Sequence, residues 1–192
     1  VGDTAETVKA ARAMGFKNIS LDLMCGLPGS NTKSLKKSLD FTVGLSPEHI
    51  SVYILKIEEN TLFYKNKAKL TLPDDDETLL LLDEAAEQLM EEAQQPDGYL
   101  DTYYILNGLD MRVTNLRYHH ELYVAGHMFE AACAYEEATG KRMLLEIACR
   151  FADCIDRHFG PGPEQCHGYP GHEEIELGLA RLYRATGHER YL

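Results

Sequence analysis

The sequence predicts two fold classes in succession: mixed α/β over residues 1–92, then all-α helical hairpins over residues 93–192. Three observations carry that reading. A strand, a turn-rich loop, a helix and a second strand follow one another within 37 residues, from Ile19 to Leu55. Ala138-Thr-Gly-Lys-Arg-Met-Leu144 recurs, loosely, 47 residues later as Ala185-Thr-Gly-His-Glu-Arg-Tyr-Leu192. Between these regions the cations change character at Ala93: nine Lys and one Arg precede it, one Lys and eight Arg follow. Both residue types are solvated cations on an ordinary surface, so folding alone gives no reason for the step. It reads as two coding histories joined.

In the first region, Asp3-x-x-Glu6 has the form of a capping box, and Val8, Ala11 and Met14 give a helical stripe ending at Gly15. Ile19–Met24 reads as a strand, and Gly26-Leu-Pro-Gly-Ser-Asn31 as a turn-rich loop. A helix is predicted over Thr32–Val43, with Leu35 and Leu39 one turn apart, and a second strand over His49–Leu55. This order is a βαβ unit, which implies parallel strands and a right-handed crossover. Ligands of such units meet the loops at the carboxyl ends of the strands. That places Asp22, Met24 and Gly26 at the mouth of a site, with Lys56 and Glu58 beside them. Pro73-Asp-Asp-Asp-Glu77 then opens a helix, with acids at its positive end. Leu79, Leu82, Ala86, Leu89 and Met90 are its predicted apolar stripe, and Gln94-Gln-Pro-Asp-Gly98 ends it.

Helices are predicted in the second region over Asn115–Thr139, Arg142–Phe159 and Glu173–Thr186, the first with a stripe of Leu122, Ala125, Phe129, Ala132 and Cys133. In each copy of the repeat a helix ends at Thr-Gly, with Gly as the residue past its end, and a partner helix begins. A hairpin period of this size belongs to solenoids and α/α toroids, in which each repeat buries its face on a neighbour. The chain stops where the next helix is due, which leads us to expect a truncated array.

The net charge of −12 argues against nucleic acid, because no basic stripe is present to neutralise phosphates. The longest apolar runs, such as Leu79–Leu82, are too short to span a bilayer, so no membrane partner is expected. Five Cys without framework spacing, and no leader pattern, suggest free thiols in a cytoplasmic setting. The second region is dense in polar residues: Asn115, Arg117, His119, His120, Glu121 and His127, then His167, His172, Glu173, Glu174 and Glu176. A zincin motif fails, because Val124 stands where its second His belongs. His172 and Glu176 are four apart, but two ligands are too few for a metal site, and none is assigned. His120 and His127 share one helix face. Cys133, Cys149 and Cys154 fall among apolar helical residues and read as core side chains.

The run GFKNISLDLMCGLPGSNTKSLKKSLDF, followed by LSPEHISVYILKIEENTLFYK and LPDDDE, resembles the oxygen-independent coproporphyrinogen III oxidase and haem-chaperone branch of the radical S-adenosylmethionine enzymes. The resemblance covers residues 1 to about 92 and implies part of a TIM-like barrel. It also implies that Asp22 and Met24 line the S-adenosylmethionine pocket. That family's cluster-binding Cys-x3-Cys-x2-Cys motif is missing here, and Cys25 alone holds no [4Fe–4S] cluster, so no radical chemistry is expected.

The run AQQPDGYLDTYY, followed by TNLRYHHELYVAGHMFEAACAYEEATGKRMLLEIACRFADCIDRHFGPG and HGYPGHEEIELGLARLYRATGHERYL, is similar to glycoside hydrolase family 127, the β-L-arabinofuranosidases. This resemblance covers residues 93–192 and implies part of an (α/α)6 barrel. It further implies that His120 and His172 contact the sugar, with Gln95 and Asp97 nearby. The family's zinc-bound Cys nucleophile and Glu acid/base belong downstream of the matched region, so no catalytic residue is assigned. The helix at the seam suits both families. The expectation is a chain joining parts of two enzymes, with a piece of a sugar pocket and no turnover. The alternatives are a remnant that binds S-adenosylmethionine or haem, or a chimeric fragment without function. An unpaired strand edge and an exposed apolar helix face are expected to favour self-association.

Overall fold

A computed structural model describes residues 2–192. They divide into two compact units, one ending at Glu92 and one spanning Ala93–Leu192.

The first unit contains α1 (Gly2–Ala13), β1 (Ser20–Cys25), α2 (Thr32–Gly44), β2 (His49–Ile54), a short α3 (Leu62–Asn66) and nearly all of α4 (Asp75–Ala93). The strands pair in parallel, with Ser20 opposite His49 and Cys25 opposite Ile54, as a βαβ unit requires. Asn31 caps α2 reciprocally with Ser34: the Ser34 N–H donates to Asn31 Oδ1 at 3.1 Å and the Asn31 N–H donates to Ser34 Oγ at 2.9 Å. Glu48 fixes the starts of both strands, accepting from Arg12 and from the Ile19 N–H, each at 2.8 Å. Leu23, Cys25, Leu35, Leu39, Leu81 and Ala85 form the core. It covers one sheet face only. The other face carries Ser20, Asp22 and Met24 beside His49 and Tyr53, all exposed.

Three expectations for this unit need correction. Asp3 lies within the first turn of α1, which already includes Gly2, so it is not the cap of a box at Glu6. Met14 is 79% exposed, because α1 ends one residue earlier and Met14 sits in the following turn. On α4 the buried stripe is Thr78, Leu81 and Ala85, with Leu89 packed alongside, while Leu79 is 53% exposed and Ala86 is also exposed. Four consecutive leucines fit the helical period in more than one phase, and contact with α2 and β1 selects one of them. The start of α4 is a capping box between Asp74 and Glu77, at 2.8 and 3.0 Å.

The second unit contains α5 (Thr102–Asn107), α6 (Glu121–Thr139), α7 (Met143–His158) and α8 (Glu174–Thr186), with a closing 3-10 turn at Glu189–Tyr191. Its core includes Tyr99, Tyr104, Phe129, Leu145, Phe151 and Leu182. Both Thr-Gly helix ends behave as the repeat predicts, with Gly140 (φ 72°) and Gly187 (φ 73°) in the left-handed conformation that glycine takes at low cost. α5 has no counterpart in the sequence reading; Asp101 caps it by accepting the Tyr104 N–H at 3.1 Å. α6 begins at Glu121, six residues after the predicted start. The Leu116 carbonyl, which a helix would pair internally, instead accepts the Gly171 N–H at 3.2 Å. No helix among the described residues is long and apolar enough to cross a membrane.

Candidate functional site

Two glycines decide where the polar residues of the second unit meet. A Cβ on Gly126 of α6 would lie 2.5 Å from the Glu174 carbonyl oxygen, and one on Gly178 of α8 would lie 2.7 Å from the Gly126 carbonyl oxygen. The two helices therefore approach backbone to backbone. The loop before α8 is held as closely: a Cβ on Gly171 would lie 2.8 Å from the Arg117 carbonyl oxygen. These contacts bring the residue before α6, His120, to His172, two residues before α8.

Their imidazoles stack, with centroids 5.0 Å apart and planes 21° from parallel. Tyr123, one turn into α6, leans on both, at 5.9 Å from His120 and 5.2 Å from His172. The edge of His127 meets Tyr123 at 4.5 Å, and its Nδ1 lies 3.2 Å from Glu174 Oε1. The result is a solvent-facing aromatic wall whose edges carry nitrogens and a hydroxyl. Such a wall offers flat C–H-binding faces and hydrogen-bonding rims, which suit a polyhydroxylated ring. Sequence reasoning singled out His120, His127 and His172 but missed Tyr123; it put His120 and His127 on one helix face, whereas His120 precedes α6 in the left-handed conformation and Tyr123 contacts both rings. The signal was present in the four-residue spacing of Tyr123 from His127 on α6.

Beneath the wall lies Glu121, 1% exposed. It accepts hydrogen bonds from the Tyr99 hydroxyl and from the Val113 N–H, the latter at 2.8 Å. Burial pushes its carboxyl above the ordinary range, against the pull of those two donors. Burial and the Glu121 carboxylate likewise push the Tyr99 phenol upward.

Gln95 and Asp97 are engaged in the turn after α4. The Gln95 amide donates to the Ala93 carbonyl at 3.0 Å. Asp97 pairs with Arg112 at 2.6 Å and accepts the Tyr99 N–H at 3.2 Å. Burial opposes ionisation of Asp97, yet these two donors hold its carboxyl below the usual carboxylate range. Gln94, not singled out from sequence, docks this turn on α7 by donating to the Ile147 carbonyl at 2.9 Å and accepting from Arg150 at 2.6 Å.

His127, Glu130 and Glu174 bring one ligand atom each to within 4.8 Å of one another. Arg181 already faces Glu130 at 3.6 Å, so one of the group's two carboxylates is answered by a guanidinium. The group contains no cysteine. Burial pushes the Cys133, Cys149 and Cys154 thiols upward, which disfavours the thiolate a metal needs. These residues do not fit a zinc–cysteinate centre. Cys25 in the first unit is likewise buried and pushed upward, and a single such thiol does not fit an iron–sulfur cluster. Asp22 and Met24 lie together on the uncovered sheet face, and Met24 also borders an open groove of about 250 Å³ lined by Gly26, Leu27, Pro28, Gly29 and Ser34.

The profile of the β-L-arabinofuranosidase GH127 catalytic domain matches residues 67–192. The chain belongs to the GH127 family. The match begins ahead of the step at Ala93, so the GH127 likeness runs back through α4, further than the sequence reading placed it. The exchange of Lys for Arg at Ala93 marks composition only.

A non-reducing end β-L-arabinofuranosidase from Bifidobacterium longum subsp. longum is 50% identical over 108 residues, 54% of this chain and 16% of the relative. The crystal structure of a GH127 β-L-arabinofuranosidase from Geobacillus stearothermophilus T6 superposes with a TM-score of 0.56 and 52% identity, over 62% of this chain and 18% of that one. The haem chaperone HemW of Bacillus subtilis is 47% identical over 73 residues, 37% of this chain and 19% of the relative. The GH127 chain thus spans less than a fifth of the length of each of these proteins, and it also carries a stretch similar to haem chaperones.

Proposed function

We propose that the second unit forms part of the sugar-binding wall of a β-L-arabinofuranosidase, with His120 and His172 contacting the arabinofuranose ring and Tyr123 extending the platform. The single observation behind this reading is the stack of His120 on His172, two residues 52 positions apart that come together at the mouth of the α6–α8 pair. On this reading the hairpins α6–α7 and α8 with its closing turn are successive elements of an (α/α)6 barrel. Gln95 and Asp97 hold the turn that supports Tyr99, and so act on the wall from behind. Glycoside hydrolysis needs an acid/base and a nucleophile on opposite sides of the scissile bond. No residue is assigned as nucleophile or acid/base, and on this reading the chain binds sugar without turning it over. Five unpaired cysteines suit the reducing, cytoplasmic setting this reading includes.

The test is a titration with L-arabinose followed by the His ring resonances. We expect shifts at His120 and His172 at millimolar sugar, none with D-glucose, and no release of nitrophenol from p-nitrophenyl β-L-arabinofuranoside. Unshifted histidines at saturating L-arabinose overturn the reading. For the first unit, the groove beside Met24 supports a second reading as a piece of an S-adenosylmethionine site. Equilibrium dialysis should then show retention of that ligand, lost in Asp22→Ala; no retention by the unaltered chain rejects it.

A further inference from the structure

Two residues beside the aromatic wall hold a backbone conformation that L side chains rarely adopt. His120 lies at φ 55° and ψ 20°, and Val113 lies at φ 55°. For a β-branched residue such as Val113 this is a true outlier, which persists only where its surroundings enforce it. His120 precedes α6 with no side-chain cap, so nothing in the helix start itself explains its conformation.

Glu121 connects the two. It is the first residue of α6, so the direction of its side chain fixes the backbone that His120 must follow. One carboxylate oxygen takes the Tyr99 hydroxyl, and the other takes the N–H of the strained Val113 at 2.8 Å. Tyr99 is itself fixed: its ring meets Phe151 edge-on at 5.4 Å and lies under the Arg112 guanidinium at 5.2 Å. Arg112, the residue before Val113, is anchored by Asp97.

We propose that Glu121 is the positioning residue of the wall: a buried carboxylate that, braced by Tyr99, holds Val113 and His120 in their strained conformations and so sets the His120 ring on His172. This rests on the reading of that pair as a sugar-contacting surface, but the clamp is defined by the ring stack alone. Each oxygen of the Glu121 carboxyl meets one partner, and Ala at this position removes both contacts, whereas Gln keeps them by accepting the Val113 N–H on its oxygen while its amide donates to the Tyr99 hydroxyl oxygen. Leaving a buried donor unpaired carries the full desolvation penalty, so relief comes by relaxation of the strained loop.

The experiment compares the unaltered chain with Glu121→Ala and Tyr99→Phe, reading two signals. The first is the ring-to-ring nuclear Overhauser effect between His120 and His172, with the upfield ring-current displacement that stacking produces. The second is L-arabinose affinity. Both variants should lose the cross-peak while the methyl signals of core residues Leu145 and Leu182 keep their positions, and affinity should fall about 10-fold or more, the loss of one interaction worth about 1.4 kcal/mol. Retention of the cross-peak in both folded variants overturns the clamp, whatever the sugar does. Should Glu121→Ala fail to fold, Tyr99→Phe decides alone, since it removes a single hydroxyl and keeps the ring. A chain that shows the cross-peak but no response to L-arabinose leaves the clamp standing and removes the sugar-binding reading.

Discussion

At His120 an exposed polar side chain sits beside a neighbour that is buried. Glu121 is charged by type yet almost wholly enclosed, and burial raises its carboxyl above the ordinary range. The consequence for stability follows by linkage. In the pH interval between the ordinary carboxylate value, about 4.3, and the raised folded value, the unfolded chain binds fewer protons at this site than the folded chain. Stability from this residue is therefore fully present below that interval and falls as pH rises through it. We expect Glu121→Gln, which does not titrate, to gain on the unaltered chain in melting temperature as pH is raised from about 4 towards neutrality. A difference between the two that is flat with pH contradicts this. His120 and His172 were legible in the sequence because they sit in specific motifs. The clamp below them was not, because hydrogen bonds between Tyr99, Val113 and Glu121 depend on which turn folds over which helix.

Among the helices, glycine carries most of the positional information. Helix interiors normally gain about 1 kcal/mol from Gly→Ala. At Gly126 the added methyl would press on the Glu174 carbonyl oxygen at 2.5 Å, backbone that yields only if α8 moves. Overpacking of this kind costs about 1–3 kcal/mol, which outweighs the gain. Gly126→Ala should lower the melting temperature of the second unit by several degrees and weaken the His120–His172 stack. Gly44 at the end of α2 is the control: a Cβ there meets nothing within 4 Å, so Gly44→Ala should stabilise by about 0.4–1 kcal/mol. Denaturant melts of both variants check the opposite signs. The predicted stripe of α4 shows the limit of period reading. Leu79–Leu82 places leucine at every phase of the helix, so composition allowed several buried faces, and the core of Leu23, Leu35 and Leu39 admitted Leu81.

Across the whole chain the change in composition at Ala93 falls on the boundary between the two compact units. Each unit has its own set of buried residues. We expect calorimetry to resolve two unfolding transitions, with Glu121→Gln altering only one of them. A single transition with equal calorimetric and van't Hoff enthalpies would falsify the independence of the units. The first unit has the smaller core and a two-stranded sheet, an arrangement of marginal stability, and should melt first.

The sequence by itself determined the order of the long helices and the two strands, the parallel βαβ unit, the left-handed glycine ends at Gly140 and Gly187, and the GH127 and haem-chaperone likenesses. All of these rest on local chemistry or on contiguous strings. Only the tertiary structure decided which leucines of α4 face inward, where α6 begins, and that Tyr123 joins His120 and His172. It also decided that Asp97 serves Arg112 and Tyr99. Those outcomes depend on contacts between residues far apart in the chain, where a glycine's missing methyl or a carbonyl already engaged by another loop selects among conformations that the local sequence leaves equal.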